Sequence, residues 1–185
     1  MRVIAGAARG VTLTVPRGAG TRPITDRVKE TLFGIVGGRV IDAEVLDLYA
    51  GSGAVGIEAL SRGARSCTFV ERSRPALATL RRNLARAGLE ARARVVADDV
   101  QRFLGTPDGR RYDLAVLDPP YETGAILPPL ERLVPWLAPG AAVVVKRFWR
   151  TEVPAVPGLA AWRERRFGET ALTFLELAGA IHEEA

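Results

Sequence analysis

Val45-Leu46-Asp47-Leu48-Tyr49-Ala50-Gly51-Ser52-Gly53-Ala54-Val55-Gly56-Ile57-Glu58-Ala59-Leu60 reads as a strand, a glycine turn and a helix. Val45–Tyr49 has the near-continuous apolar character of a strand buried on both faces. Val55–Leu60 continues as an apolar helix. Gly51, Gly53 and Gly56 fit the pattern G-x-G-x-x-G, whose glycines let backbone approach a ligand closely. Asp47 opens the turn, where its carboxylate can hold the loop or accept from a ligand ammonium.

Outward from this unit the chain alternates between strand and helix. Toward the amino terminus, Thr25 or Asp26 can cap a helix whose stripe is Val28, Leu32, Ile35 and Val36, and Gly37-Gly38 stops it. Toward the carboxyl terminus come a strand at Ser66–Glu71, a helix at Pro75–Ala87, a strand at Ala93–Ala97 and a short helix at Val100–Leu104. A strand at Tyr112–Asp118, a helix at Ile126–Leu137 closed by Pro139-Gly140, and a strand at Ala141–Lys146 follow. Such alternation builds a parallel sheet with helices on both faces. Ala160–Phe167 and Ala171–Leu177 flank Gly168-Glu169 and predict a hairpin that puts an antiparallel strand at one sheet edge. Residues 1–23 read as a small β extension of two short runs, Arg2–Ala5 and Val11–Val15, which must pack on the main body, 24–185. Residues 178–185 read as a frayed end.

Composition narrows the chemistry. The chain has 185 residues and is 48% hydrophobic, enough for one globular domain with a full core. Cys67 is the only cysteine and His182, near the end, the only histidine, so disulfides, zinc sites and histidine catalysis are not expected. Apolar runs are too short to span a membrane and no signal peptide opens the chain, so a cytoplasmic location is expected. Net charge is +5, and residues 1–30 hold six basic side chains against two acidic ones. Arg2, Arg9, Arg17, Arg27 and Lys29 of this arm are candidate contacts to a polyanion such as RNA; a solvated charged face is the plain alternative. Asn83 and Gln101 are the only side-chain amides.

Glu71, at the end of the second sheet strand, stands where an acid binds ribose hydroxyls, so an adenosine is expected over the first two strands. The glycine loop alone does not separate a nicotinamide dinucleotide from S-adenosylmethionine. Leu117-Asp118-Pro119-Pro120-Tyr121 separates them. Two prolines remove two backbone donors where a buried strand ends, leaving carbonyls exposed beside an acid and an aromatic ring. Asp118 and the Pro119 carbonyl can accept both hydrogens of an exocyclic base amine, turning its lone pair toward an incoming methyl. Tyr121 can stack on the base, worth about 1–3 kcal/mol. No metal and no strong base are needed where the methyl donor is already activated.

These residues resemble class I S-adenosylmethionine-dependent methyltransferases acting on amino groups. Arg9-Gly10, the block Arg22-Pro23-Ile24-Thr25-Asp26-Arg27-Val28-Lys29-Glu30-Thr31-Leu32-Phe33, and Ile57-Glu58-Ala59-Leu60-Ser61-Arg62-Gly63-Ala64 narrow the likeness to bacterial 16S ribosomal RNA guanine-N2 methyltransferases, which modify the guanine at position 966. The resemblance implies a Rossmann-like α/β fold, a seven-stranded, mostly parallel sheet with a reversed last strand. It implies cofactor contacts from Asp47, Ala50, Gly51, Ser52, Gly53, Glu71, Arg72, Asp99 and Val100, with Arg22 and Thr25 closing the site. Asp98 competes with Asp99 for the adenine. It implies that Asp118, Pro119, Pro120 and Tyr121 hold the guanine, with 16S ribosomal RNA or the 30S subunit as partner, no metal, and a monomer. Lys146 occupies a strand end that is often acidic in relatives. A DNA adenine-N6 or protein glutamine methyltransferase, and a non-catalytic RNA-binding module, remain the alternatives. Trp149, beside Lys146, Arg147 and Arg150, is a further candidate for RNA contact.

Overall fold

The computed structural model describes residues 1–15, 24–120 and 126–177. In chain order the elements are α1 (Asp26–Val36), β1 (Glu44–Leu48), α2 (Ala54–Ser61), β2 (Ser66–Glu71), α3 (Arg74–Ala87), β3 (Ala93–Ala97), α4 (Val100–Leu104), β4 (Tyr112–Leu117), α5 (Leu127–Leu133), β5 (Leu137–Phe148), β6 (Leu159–Phe167) and β7 (Thr170–Leu177). The seven strands form one sheet in the order β3-β2-β1-β4-β5-β7-β6. β1 to β5 pair in parallel, whereas β7 runs antiparallel to both β5 and β6. The terminal hairpin thus takes the edge as expected, with β7 inside it and the exposed β6 outermost.

The period of two in the strands separates two cores. Val45, Leu114, Val116, Ala142 and Val144 face α1, α2, α3 and the amino-terminal segment. Leu46, Leu48, Ala115, Leu117, Val143 and Val145 face α4 and α5. Strand order reverses between β1 and β4, and the carboxyl ends of strands at such a switch point are where open α/β sheets bind ligands.

Two regions depart from expectation. The helix expected over Ile126–Leu137 ends at Leu133 and continues as a 3₁₀ turn, Val134–Trp136. Pro135 lacks the amide needed to carry the α-helix further, and its ring crowds the preceding turn. β5 then starts at Leu137, before Pro139-Gly140. A register shift opposite Tyr112 and Leu114 takes up three extra residues on β5, Pro139 and Gly140 lying within it, with Gly140 at φ +73°.

The amino-terminal extension is the second departure. Its hairpin narrows to a single bridge, Arg2 to Thr12. The amides of Ile4 and Ala5 leave the hairpin and donate to the Glu58 carboxylate at 2.8 and 3.0 Å. Val3, Ala8 and Leu13 are buried in the α1–α3 core, so packing and the bonds to Glu58, Ser61 and Asn83 hold the segment together with a few backbone bonds across the hairpin.

Candidate active site

Leu48 pairs with Leu117, and Leu117 with Val145, across β1, β4 and β5. One residue further, the Asp118 amide still donates to the Leu48 carbonyl at 3.3 Å. Pro119 and Pro120 then end the ladder, Pro119 buried and Pro120 exposed. The same register sets Lys146 beside Asp118. Its ammonium donates to both carboxylate oxygens, at 2.7 and 2.8 Å, with 5% of the lysine side chain and 28% of the aspartate side chain exposed. Burial pushes the Asp118 carboxyl above the usual range, and the Lys146 charge opposes that rise without cancelling it. Tyr121 lies outside the described residues.

On β1, Asp47 faces the same side of the sheet, paired with Val116. The loop after β1 turns on three positive φ angles, at Tyr49, Gly51 and Gly53. Gly53 is needed for packing, because a side chain there would run into Leu80 and Ile57. Gly56 is needed for the same reason, since Phe69 and Cys67 occupy the space where its Cβ would stand. Gly51 differs, since a Cβ there meets only the Tyr49 carbonyl at 3.9 Å. The Gly51 amide donates to Glu71 Oε2 at 2.9 Å and the Ser73 amide to Oε1 at 2.7 Å, so Glu71 is fixed at the end of β2.

Asp47 holds the start of α2. Its Oδ2 accepts from the Gly56 amide at 2.9 Å. Burial, resisted by that hydrogen bond and reinforced by the charges of Asp118 and Glu71, pushes its carboxyl up to about 7. This contact bears on the choice of ligand. A dinucleotide places its pyrophosphate at the amino terminus of this helix. Here a carboxylate already takes a first-turn amide, and Glu71 and Asp118 stand close by. With that amide taken, the start of α2 offers a pyrophosphate one donor fewer.

Asp99 caps α4 through the Gln101 amide at 2.9 Å and contacts Arg72 at 3.3 Å. Asp98 accepts from the Asp99 amide at 2.8 Å and from Arg102 at 3.1 Å. Burial and the Asp99 charge raise the Tyr49 hydroxyl, while the Gln101 amide lowers it as a donor, which places Asp99 and Gln101 beside Tyr49. Val100 is buried beneath them. Gln101 Oε1 is buried and has no hydrogen-bond partner. An orphaned buried acceptor, a fixed acid at the end of β2 and an open Gly51 fit an adenosine whose amine and hydroxyls lack partners.

The expected site residues thus converge at one end of the sheet, with specific exceptions. Thr25 is the amino-terminal cap of α1, accepting from Val28 at 3.3 Å. Lys29 is not an RNA contact. Its side chain is fully buried and pairs with Glu58 at 3.1 Å while donating to the Arg2 carbonyl at 2.6 Å. A lysine at an a-type position of an amphipathic helix, meeting an acid of α2, leaves the basic surface for the core. Arg2, Arg9 and Arg27 are exposed, as a polyanion contact requires, whereas Arg17 and Arg22 lie outside the described residues.

Three residues were not foreseen in their roles. Glu58 gathers Lys29, Arg62 and the Ile4 and Ala5 amides. Asn83, fully buried, bonds Thr14 and the Ser52 carbonyl at 2.9 Å. Gln101 lies against Tyr49. Their signal was rarity: one acid within an apolar helix, and the only two side-chain amides of the chain. Among the described residues, no cluster of three or more His, Cys, Asp or Glu side chains could hold a metal, and no helix is long and apolar enough to cross a membrane.

Known proteins share this architecture. The family described as conserved hypothetical protein 95 matches residues 1–176. Ribosomal RNA small subunit methyltransferase D of Escherichia coli K12 is 40% identical over 181 residues, covering 92% of this chain and 87% of its own length. The protein of that name from Haemophilus influenzae is 37% identical over 150 residues, covering 79% of this chain and 78% of its own. The solved structure of E. coli yhhF matches with a TM-score of 0.85 at 38% identity, covering 96% of this chain and 97% of that one. The solved structure of a Thermus hypothetical protein matches with a TM-score of 0.81 at 34% identity, covering 96% and 99%. By sequence, fold and site geometry, the chain belongs to the conserved hypothetical protein 95 family, alongside the ribosomal RNA small subunit methyltransferase D proteins.

Proposed function

We propose that the chain transfers a methyl group from S-adenosylmethionine to the exocyclic N2 amine of a guanine in 16S ribosomal RNA, at position 966, in an assembled or assembling 30S subunit. One observation carries this reading: Asp118 and Pro119 end β4 one strand away from the Gly51–Gly53 loop that ends β1. A base amine held by the first lies beside a ligand held by the second.

Glu71 and Gln101 would hold the ribose and adenine, and Asp47 the ligand ammonium. Bound there, S-adenosylmethionine supplies an electrophilic methyl on a sulfonium. The chain's own task is orientation. Asp118 and the Pro119 carbonyl accept the two amine hydrogens, so the nitrogen lone pair leaves the ring plane's conjugation. Each Asp118 oxygen accepts one hydrogen bond from Lys146 and keeps a second lone pair for the base. Tyr121 stacks on the guanine. The proton that the amine sheds goes to Asp118 or to water. The protein works in the cytoplasm as a monomer, with Arg2, Arg9, Arg17 and Arg27 drawing in the RNA.

Incubation with radiolabelled S-adenosylmethionine and either naked 16S RNA, 30S particles or plasmid DNA tests this. Label in RNA, mapped to one guanine, is the expected result. Label confined to DNA overturns the reading, and no label anywhere favours a binding module.

A further inference from the structure

Beyond Lys146, β5 continues into Arg147, whose side chain stands on the opposite face of the sheet. It is 6% exposed, yet it is no free surface cation. Its guanidinium donates to Thr173 Oγ1 at 3.1 Å and pairs with Glu164. It also donates to the carbonyls of Phe148, Trp149 and Thr151, at 3.3, 2.9 and 2.6 Å. Residues 148–151 are therefore wrapped around one buried guanidinium. The Thr151 amide closes the turn on the Phe148 carbonyl at 3.0 Å, and the Trp149 amide ties it to the Glu169 carbonyl of the β6–β7 turn at 2.9 Å.

This scaffold fixes Trp149, and Trp149 in turn seats two cations. The Arg166 guanidinium lies 3.6 Å from the indole centroid and that of Arg150 lies 4.8 Å away. Arg166 is steadied further by a bond from Nε to the Gly168 carbonyl at 2.9 Å. Both arginines are exposed. Glu164 pairs with Arg147 from the same face of β6 as Arg166, and Arg163 and Arg165 alternate with them onto the other face. The turn between β6 and β7 is at the same end of the sheet as Asp118, because β7 starts at Thr170 opposite Phe148. From β4 to β6 is three strand spacings, about 15 Å.

From this geometry we infer that Trp149, Arg150 and Arg166 form a second RNA-docking platform that grips the sugar–phosphate backbone flanking the target nucleotide. The inference rests on the RNA substrate proposed above. A guanidinium laid on an indole keeps its N–H edges outward in a fixed fork, the arrangement that matches phosphate oxygens. The two ring contacts hold the forks without neutralising them. The basic amino-terminal arm packs with α1 and α2, so the platform lies across the sheet end from it. Asp118 stands at the sheet end between them.

The test uses full-length protein and a fluorescein-labelled 16S RNA fragment spanning the target, titrated from 50 to 200 mM salt. Arg150→Gln with Arg166→Gln is expected to weaken binding about tenfold and to lower the slope of log K against log salt by about 1.4, two single-strand phosphates' worth. Trp149→Ala removes no charge, yet it is expected to lower the slope as well, because both forks lose their seat. Melting temperature and S-adenosylmethionine affinity report folding and stay at the wild-type values. RNA affinity and slope within twofold of wild type in the double variant overturn the platform. Methyl transfer by the wild type is measured separately. Absence of transfer overturns the proposed activity, while the binding titrations still decide the platform.

Discussion

Lys146→Met removes the ammonium on Asp118 while keeping the length of the side chain. Breaking a buried ion pair from one side costs about 3–5 kcal/mol. Asp118 is about a quarter exposed, so water restores part of the loss, and about 2–3 kcal/mol is the working figure. Burial already holds it above the ordinary range, and without the opposing ammonium the variant's carboxyl rises further. Asp47 on β1 stands at the same edge, and the Asp118 and Glu71 charges push its carboxyl up. A protonated Asp118 loses an acceptor facing the base. Single-turnover methylation of 16S RNA should therefore lose its acid limb at a higher pH than the wild type, with rates down by up to about a hundredfold on the acid side and recovered at high pH. Lys146→Arg keeps the charge and should keep the limb in place. Lys146 acts through Asp118, as a positioning residue. The reasoning is refuted if Lys146→Met melts like the wild type and shows an unmoved pH profile.

Four further outcomes are expected. Asp118→Ala abolishes methyl transfer and leaves S-adenosylmethionine binding, by calorimetry, near the wild-type value; lost cofactor binding would put the substrate pocket elsewhere. Glu58→Gln leaves the buried Lys29 charge uncompensated and destabilises the fold by about 3–5 kcal/mol in urea unfolding, whereas the double change with Lys29→Met recovers most of it. Asp47 has a raised folded-state pKa, so its contribution to stability is complete below about pH 4 and is lost as pH rises through about 7. Asp47→Asn should then melt above the wild type at pH 8, by up to about 4 kcal/mol, and match it at pH 4; a pH-independent difference would contradict the burial argument. Arg9→Ala with Arg17→Ala should weaken RNA binding and flatten its salt dependence by about one to two units of slope, and an unchanged slope would make the arm a surface feature only.

The strands were legible because each is a closed apolar run bounded by turn residues. Ser66–Glu71, Ala93–Ala97 and α4 have the boundaries expected for them. The alternation also placed Asp118, Glu71 and Asp47 at one edge, since the carboxyl end of every parallel strand points the same way. Local pattern carries no information on pairing register, and register is what brought Lys146 onto Asp118. Lys146 in sequence reads as a strand-end cation; only the alignment of Leu117 with Val145 makes it a neighbour of the motif. Lys29 failed for the related reason that charge predicts exposure only while no acid waits inside, and Glu58 sits in a different helix. Pro139-Gly140 failed because a breaker in the sequence does not say whether the chain stops or bulges, and pairing with β4 selected the bulge.

Two buried polar side chains connect these pieces. Asn83 on α3 accepts from the Thr14 amide and donates from one amide nitrogen to the carbonyls of Thr14 and Ser52, all at 2.9 Å. Both hydrogens of that nitrogen are therefore used, one on the amino-terminal segment and one on the glycine loop. Glu58 does the equivalent at the other end of the segment, taking the Ile4 and Ala5 amides from within α2, the helix that the glycine loop starts. The segment that carries Arg2 and Arg9 is thus fastened to the walls of the ligand cleft and has no separate core. A ligand on the Asp47–Gly56 turn and a polyanion drawn to Arg2 and Arg9 would therefore act on one packed body.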